Sequence, residues 1–447
     1  MIEKIKDKIN SPFVLNTAKM SFSNILLYLL PVIVTPILSR LYGPEPFGEW
    51  GVFSSFITII TIGIFLGFEN TIVKAEEKNI KNIILLCIAI SLFICIIIAI
   101  LFYIGTALHI VFFKDFPSPG IMIIYLIFYS IYTISYNLCN RYEQFSSLAI
   151  CNIVLGISQA LFRIIFGIVA LTAFNGLILG TTTAQAFAMV FLLFCIAKTS
   201  SKWRKQIINI SKIKYIIVKY KNFPLYDAPS SMMSFAAFNL PVIILAYYFD
   251  KQSIGCYSII LQLLLLPMSF IGSAIGKVYY QELCQHDKTP DQIKVTTGKV
   301  VQITALISIL PLLFIACDGD KIIVLFLGTK WVTAGSIALC LCLWAFPTIL
   351  TQPLLPLFRT LDKQKVLLYY DFAYFILGIG NILVLCFFHF SLYFILVTYA
   401  IICFIVKMFL FKRILLLSNL KWTIFKKHIP LWVISIVILI VRLISLV

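Results

Sequence analysis

The chain reads as a succession of long apolar runs separated by short polar connections. A membrane-spanning helix needs about 20 apolar residues. Thirteen runs are candidates: residues 17–39, 47–68, 81–104, 119–139, 147–172, 175–197, 223–249, 253–280, 296–317, 331–357, 366–388, 391–411 and 429–447. The last is short and carries Arg442, so the expectation is twelve helices plus a terminal hydrophobic segment. Prolines inside several runs (Pro31, Pro36, Pro241, Pro267, Pro347, Pro353, Pro356) predict kinks that a helix bundle in lipid tolerates. The expected fold class is all-α and polytopic.

The largest connection, 198–222, carries eight basic residues and falls after the sixth run. It suggests an N-terminal six-helix lobe over 1–200, a basic linker over 201–222 and a C-terminal six-helix lobe over 223–412. A basic segment and the terminal hydrophobic helix follow over 413–447. The halves look duplicated. Leu38-Ser-Arg-Leu-Tyr42-Gly-Pro-Glu-Pro-Phe47-Gly48 closes the first helical hairpin, with Arg40, Gly43, Pro44 and Gly48 as its signature. At a constant offset of 207, Leu245-Ala-Tyr-Tyr-Phe249-Asp-Lys-Gln-Ser-Ile254-Gly255 closes the hairpin of the seventh and eighth runs. Repeated halves about a central site are a common plan of secondary transporters.

Composition agrees. The chain is 447 residues long, 61% hydrophobic and only 12% charged, where soluble domains carry roughly 25%. That charge cannot cover an aqueous surface, so most of the solvent must be lipid. The net charge of +18 would suit nucleic acid, but its distribution argues otherwise. Of the 36 Lys and Arg residues, 27 fall in alternate connections on one side and 6 on the other. That split places the N-terminus in the cytoplasm and removes nucleic acid from the expected partners. The twelve cysteines show no CxxC or Cys/His spacing, so no metal or other cofactor is expected. The run after the charged leader Met1–Asn10 is too long for a signal-peptide core and reads as the first helix. No outer connection is long enough for a catalytic domain, so no enzyme is expected.

Polar residues facing lipid are costly, so stripes at helical spacing mark faces turned to a bundle or a cavity. Ser54, Thr58, Thr61 and Glu69 form one stripe. Tyr125, Tyr129, Tyr132 and Tyr136 form another, and Asn152, Gln159 and Arg163 a third. Asp227 leads a serine stripe in the seventh run, Lys277 ends one in the eighth, and Asp371, Tyr374 and Asn381 line the eleventh. The phenol ladder would suit stacking against sugar rings, or else hydrogen bonds within the bundle. Arg163 lies near the middle of its run, where a charge costs about 2.5–3.5 kcal/mol. It either lines a substrate cavity or pairs with an acid. Lys19, Glu69, Asp227, Lys277, Asp371 and Lys407 lie toward the cytoplasmic ends of their runs and are expected to snorkel, together forming a polar vestibule.

Three stretches carry a resemblance. Leu38 to Trp50 with Leu66-Gly-Phe-Glu69-Asn-Thr-Ile-Val-Lys74 is similar to the N-terminal signature of Wzx-type polysaccharide flippases of the multidrug/oligosaccharidyl-lipid/polysaccharide (MOP) exporter superfamily. Phe223-Pro-Leu-Tyr-Asp-Ala-Pro-Ser-Ser with Asn239 to Phe249 resembles the family's seventh helix, and Pro267 to Tyr280 its eighth. The resemblance implies two six-helix lobes about a central cavity and alternating access. The implied cargo is an undecaprenyl-diphosphate-linked oligosaccharide, moved from the cytoplasmic to the periplasmic leaflet of the bacterial inner membrane for O-antigen or other surface polysaccharide.

The implied partners are that lipid-linked oligosaccharide, membrane lipids and other surface-polysaccharide assembly proteins, with a monomeric transport unit. Arg163, Lys19 and Lys277 are then candidate phosphate-binding cations. Tyr125, Tyr129, Tyr132, Tyr136, Gln159 and Asn152 are candidate cavity lining, and Glu69, Asp227 or Asp371 the coupling acid. The alternatives are a lipid II flippase, a cation-coupled drug antiporter, and an O-antigen polymerase or ligase.

Overall fold

A computed structural model describes residues 12–114, 116–169, 174–198, 210–221, 223–283, 289–316, 318–361, 363–422 and 429–444. No strand occurs among them. Thirteen long helices correspond one for one with the apolar runs. These are α1 (Pro12–Tyr42), α2 (Pro44–Gly63), α3 (Ile80–Ala107), α4 (Pro119–Arg141), α5 (Phe145–Ile168), α6 (Gly176–Lys198) and α7 (Ala228–Tyr248). They continue with α8 (Lys251–Leu283), α9 (Pro290–Ala316), α10 (Val332–Thr351), α11 (Gln364–Phe387), α12 (Leu392–Leu417) and α13 (Ile429–Ile444). Over the described residues, nine helices are long and apolar enough to cross a membrane, or ten if one bent pair counts as a span. The expected twelve is therefore not reached on length and apolarity alone.

The bent pair corrects the expected second helix, 47–68. α2 stops at Gly63, and the chain turns by 57° before Phe68–Lys74. Leu66 and Gly67 take left-handed conformations, φ 53° and 81°, a backbone state that glycine adopts without a Cβ penalty. Glu69 sits at this break. The tenth run is likewise divided: α10 ends at Thr351, and Pro353 and Pro356 head two short helical turns.

The chain forms two compact units. One contains α1, Glu49 onward through α6, and α7 to Asn239; the other contains Gly43–Gly48 and everything from Leu240. In the first unit α5 packs on α1 and α6, and α4 on α3 and α6. In the second, α10 packs on α9 and α12, and α11 on α12. The pairs α3/α4, α4/α6 and α5/α6 thus recur as α9/α10, α10/α12 and α11/α12, a shift of six helices. α10 is apolar all round and buried along nearly its whole length, as expected of a central helix.

The offset of 207 recurs as a contact. In the second unit the start of α2 lies against the start of α8. A Cβ on Gly48 would overlap the carbonyl of Lys251, and one on Gly255 would overlap the carbonyl of Pro44. Lys251 and Gly255 are the 207-residue counterparts of Pro44 and Gly48. Only glycine permits backbone approach this close.

The terminal segment is a helix beside α9. Trp432 packs edge-on against Phe346 of α10 at 5.1 Å. Ten residues on, Arg442 bonds to Asp318 at 3.0 Å and Asp320 at 2.9 Å, immediately past the end of α9. α13 therefore runs along α9 in the same direction. Its 16 residues span roughly 24 Å, close to the apolar thickness of a bilayer.

Candidate functional site

The first unit holds a buried guanidinium. Arg163 is 7% exposed and lies five residues before the end of α5, roughly 7 Å along the axis. It is therefore near one end of the helix, a correction to the mid-run position expected, because α5 stops at Ile168 rather than 172. Its neighbours belong to that same end: Tyr42 closes α1, Trp50 lies in the second turn of α2, and Thr181 in the second turn of α6.

Gly180 lets α5 and α6 meet. A Cβ there would come within 2.7 Å of the Arg163 nitrogen and 2.9 Å of its Cα. This approach brings Thr181 beneath the guanidinium. Thr181 Oγ1 accepts from Arg163 Nη2 at 3.0 Å and Nε at 3.3 Å, and from Trp50 Nε1 at 3.2 Å. Its own proton goes to the Leu177 carbonyl at 2.7 Å. A hydroxyl has one donor and two lone pairs, so Thr181 is saturated. The Trp50 ring lies under the guanidinium at 4.8 Å, a cation–π distance. Tyr42 donates to the Arg163 carbonyl.

No carboxylate among the described residues comes within 4 Å of Arg163, and its side-chain hydrogen bonds among them, from Nε and Nη2, go to the Thr181 hydroxyl. Of the two readings of Arg163, pairing with an acid finds no partner among the described residues. The charge is held by a hydroxyl and an indole face, neither of which neutralises it. A guanidinium in this state has donors and charge left for a bidentate oxyanion.

The tyrosine ladder is continuous. Ring centroids of Tyr125 and Tyr129 are 6.2 Å apart, Tyr129 and Tyr132 6.4 Å, and Tyr132 and Tyr136 5.9 Å. All four are half-buried. Tyr125 lies within electrostatic reach of Arg163 and Tyr129 within reach of Glu69, and Tyr136 stands beside Asn152. The ladder thus joins the arginine at one end of the unit to the break after α2 and on toward the other end.

The remaining candidates are dispersed. Asn152 is buried and donates to Asn24 Oδ1 at 2.9 Å, which fastens α5 to α1. Gln159 is half-buried, one turn from Arg163. Lys19 is exposed and donates to Ser146 Oγ at 3.2 Å. Ser146 is 17 residues before Arg163 on α5, roughly 25 Å away, so these cations lie at opposite ends of the helix. Ser54, Thr58 and Thr61 donate to carbonyls of their own helix, which satisfies them without a partner. Arg40 is exposed; Gly43, Pro44 and Gly48 are buried. The side chains of Asp227 and Lys277 lie outside the described residues. Asp371 belongs to the second unit and is half-buried.

One expectation is corrected. Lys407 does not snorkel: it is 6% exposed and ten residues from the end of α12, which continues to Leu417 rather than 411. Trp50, Thr181 and Gly180 were not singled out in the sequence, although Trp50 closes the hairpin motif and Gly180 opens a run of three threonines.

Beyond the helices, the basic side is tied by ion pairs. Arg141 donates to the Ile72 and Val73 carbonyls and to Glu77. Glu76 is hydrogen-bonded by Lys78 and by Lys219 of the short helix Ile210–Lys219, which holds its carboxyl below the ordinary range.

Residues 37–336 match the family described as "Polysaccharide biosynthesis protein". The chain belongs to that family. The capsular polysaccharide biosynthesis protein CapF of Staphylococcus aureus is 24% identical to it over 324 residues, covering 70% of this chain and 76% of CapF. Among solved structures, the lipid II flippase MurJ in its inward closed conformation matches with a TM-score of 0.69 at 13% identity, covering 95% of this chain and 97% of MurJ. An inward-facing multidrug resistance MATE family transporter of the MOP superfamily matches at 0.63 and 14%, covering 88% and 96%. This family member therefore has an all-α, multi-pass MOP-like fold.

Proposed function

We propose that this polysaccharide biosynthesis family member is a Wzx-type flippase. In this reading it moves undecaprenyl-diphosphate-linked oligosaccharide repeat units from the cytoplasmic to the periplasmic leaflet of the bacterial inner membrane. It works by alternating access, with the N-terminus in the cytoplasm and without catalysis. The observation that carries the reading is Arg163, a buried guanidinium with no acid partner among the described residues. A diphosphate supplies the missing countercharge and a bidentate acceptor. The ladder Tyr125, Tyr129, Tyr132 and Tyr136 offers phenol edges to sugar hydroxyls along the same unit. A lipid-linked cargo keeps its tail in the bilayer, which agrees with a chain whose described residues are almost wholly helical.

Complementation tests this. In a strain lacking the gene, the wild-type chain is expected to restore surface polysaccharide, and Arg163→Ala, present at equal abundance in the membrane, to leave it lost. Full restoration by Arg163→Ala would remove the phosphate-binding role.

A further inference from the structure

A surface outside the transport site lies on the basic connection. Residues 198–222 hold eight lysines and arginines and no acid. Within them, the helix Ile210–Lys219 packs against α3, and its Ile216 is fully buried. Lys219 anchors the helix, with its Nζ 3.3 Å from Glu76 Oε1. The same ammonium lies 5.6 Å and 5.7 Å from the ring centroids of Tyr215 and Tyr220.

These contacts set the depth of the helix. Glu76 lies four residues before α3 begins at Ile80, and the segment containing α3 is long and apolar enough to cross a membrane. The helix Ile210–Lys219 therefore sits where α3 leaves the apolar layer, at the level of lipid headgroups. α6, at the other end of the connection, marks the same boundary on its own last turn. Its final residue, Lys198, folds back so that the ammonium lies 4.2 Å from the ring of Phe194, an exposed side chain. A lysine stem laid along apolar surface in this way is a cation snorkelling to the interface.

The outward face of the short helix is apolar along its middle and cationic on both edges. Tyr215 and Val218, three residues apart and so on one face, are 56% and 60% exposed. Lys214 stands one turn before Val218 and Lys219 one turn after Tyr215, on opposite flanks of that strip. Lys212, two turns before Lys219, shares its flank. Lys212 and Lys214 are exposed, and no carboxylate among the described residues comes within 4 Å of either. An interfacial helix buries such an apolar strip below the headgroups and lets its flanking lysines reach the phosphates. Charge selects the occupant. Eight cations without an acid are drawn to an anionic surface, and a helix held at headgroup depth by Glu76 meets lipid before any other partner.

We propose that the helix Ile210–Lys219 is a binding site for anionic phospholipid. Tyr215 and Val218 enter among the acyl chains, and Lys212 and Lys214 hold the phosphate groups, while Lys219 stays with Glu76. The site is separate from Arg163, and phospholipid bound there fastens the basic connection to the membrane.

Hydrogen–deuterium exchange of the full-length protein in nanodiscs tests this. One set of nanodiscs contains phosphatidylcholine alone, the other an equal mixture of phosphatidylcholine and phosphatidylglycerol. In the wild type, exchange of the amides of residues 210–219 is expected to slow about tenfold or more in the mixture, and the slowing to fade as salt rises. Equal rates in the two membranes would overturn the proposal, and this comparison needs no variant to fold.

Lys212→Gln/Lys214→Gln is expected to abolish the slowing while leaving the contact of Lys219 with Glu76 in place. Lys363→Gln/Lys365→Gln removes the same charge from exposed positions at the start of α11 and is expected to retain the slowing. Slowing kept by the first variant, or lost equally in both, would overturn the site. Inorganic diphosphate added to the phosphatidylcholine nanodiscs is expected to leave exchange unchanged. Equal slowing by diphosphate would assign the lysines to a phosphate-bearing cargo and overturn the proposal. The transport reading is judged separately, by complementation.

Discussion

Arg163 and Trp50 are stacked in the first unit: the guanidinium lies 4.8 Å over the indole ring, and both donate to Thr181 Oγ1. An arginine held this way keeps its charge. Arg163→Lys retains charge but loses the planar fork, so it is expected to export at a level between wild type and Arg163→Ala. Equal activity of the Lys and Ala variants would mean the charge itself is not used.

Thr181 can be separated from Arg163. Thr181→Val keeps the shape and removes the acceptor for three N–H groups. Leaving such donors unpaired is expected to cost about 1–3 kcal/mol and lower the unfolding temperature. Thr181→Ser keeps the acceptor and is expected to stay near wild type. Thermal unfolding in detergent reads both, and a Val variant as stable as Ser would contradict the hub role.

Gly48 and Gly255 should behave as a matched pair. Each faces a backbone carbonyl that cannot rotate away. Replacing either by alanine is expected to cost about 1–3 kcal/mol, the penalty of overpacking. The two effects should be similar in size, because the contacts are related by the same 207-residue offset. An unaffected Gly255→Ala beside a damaged Gly48→Ala would break the internal symmetry.

Much of the fold was legible because hydrophobicity records what must face lipid: all thirteen runs became helices. The departures have physical causes. Hydrophobicity runs unbroken through Gly63-Ile-Phe-Leu-Gly67, so the break after α2 depends on left-handed backbone that an apolarity scan does not register. Apolarity does not fix where a helix ends, and helix ends decide how deep a charge lies. Arg163 moved toward a helix end because α5 stops early, and Lys407 moved inward because α12 continues. Trp50 and Thr181 were hidden because each looks like ordinary helix content until three helices converge on Arg163.

The terminal helix makes a topological prediction. α13 lies along α9 in the same direction, with Arg442 beside Asp318 and Asp320. A reporter fused after Val447 should therefore lie on the opposite face of the membrane from one inserted between α8 and α9. Reporters on the same face would mean that α13 does not cross.

Acidification should loosen the basic side. Glu76 is held below its ordinary range, first by the hydrogen bond from Lys78 and then by that from Lys219. A lowered carboxyl contributes stability above its unfolded value, and that contribution is lost as pH falls through the folded value. Below the ordinary value of 4.5, the tie from Glu76 to the helix Ile210–Lys219 is expected to release. Limited proteolysis of the 198–222 connection should then quicken, and Glu76→Gln should show the fast rate at neutral pH. A pH-independent rate in the wild type would exclude this tie.

The central claim is tested most directly by locating the lipid-linked repeat units in cells that lack the gene. Membrane vesicles of defined orientation, probed with a membrane-impermeant lectin or glycosidase, report which leaflet holds them. The account predicts accumulation on the cytoplasmic leaflet, with movement to the periplasmic leaflet restored by the wild-type chain and not by Arg163→Ala. Accumulation on the periplasmic leaflet would contradict it and place the protein after translocation.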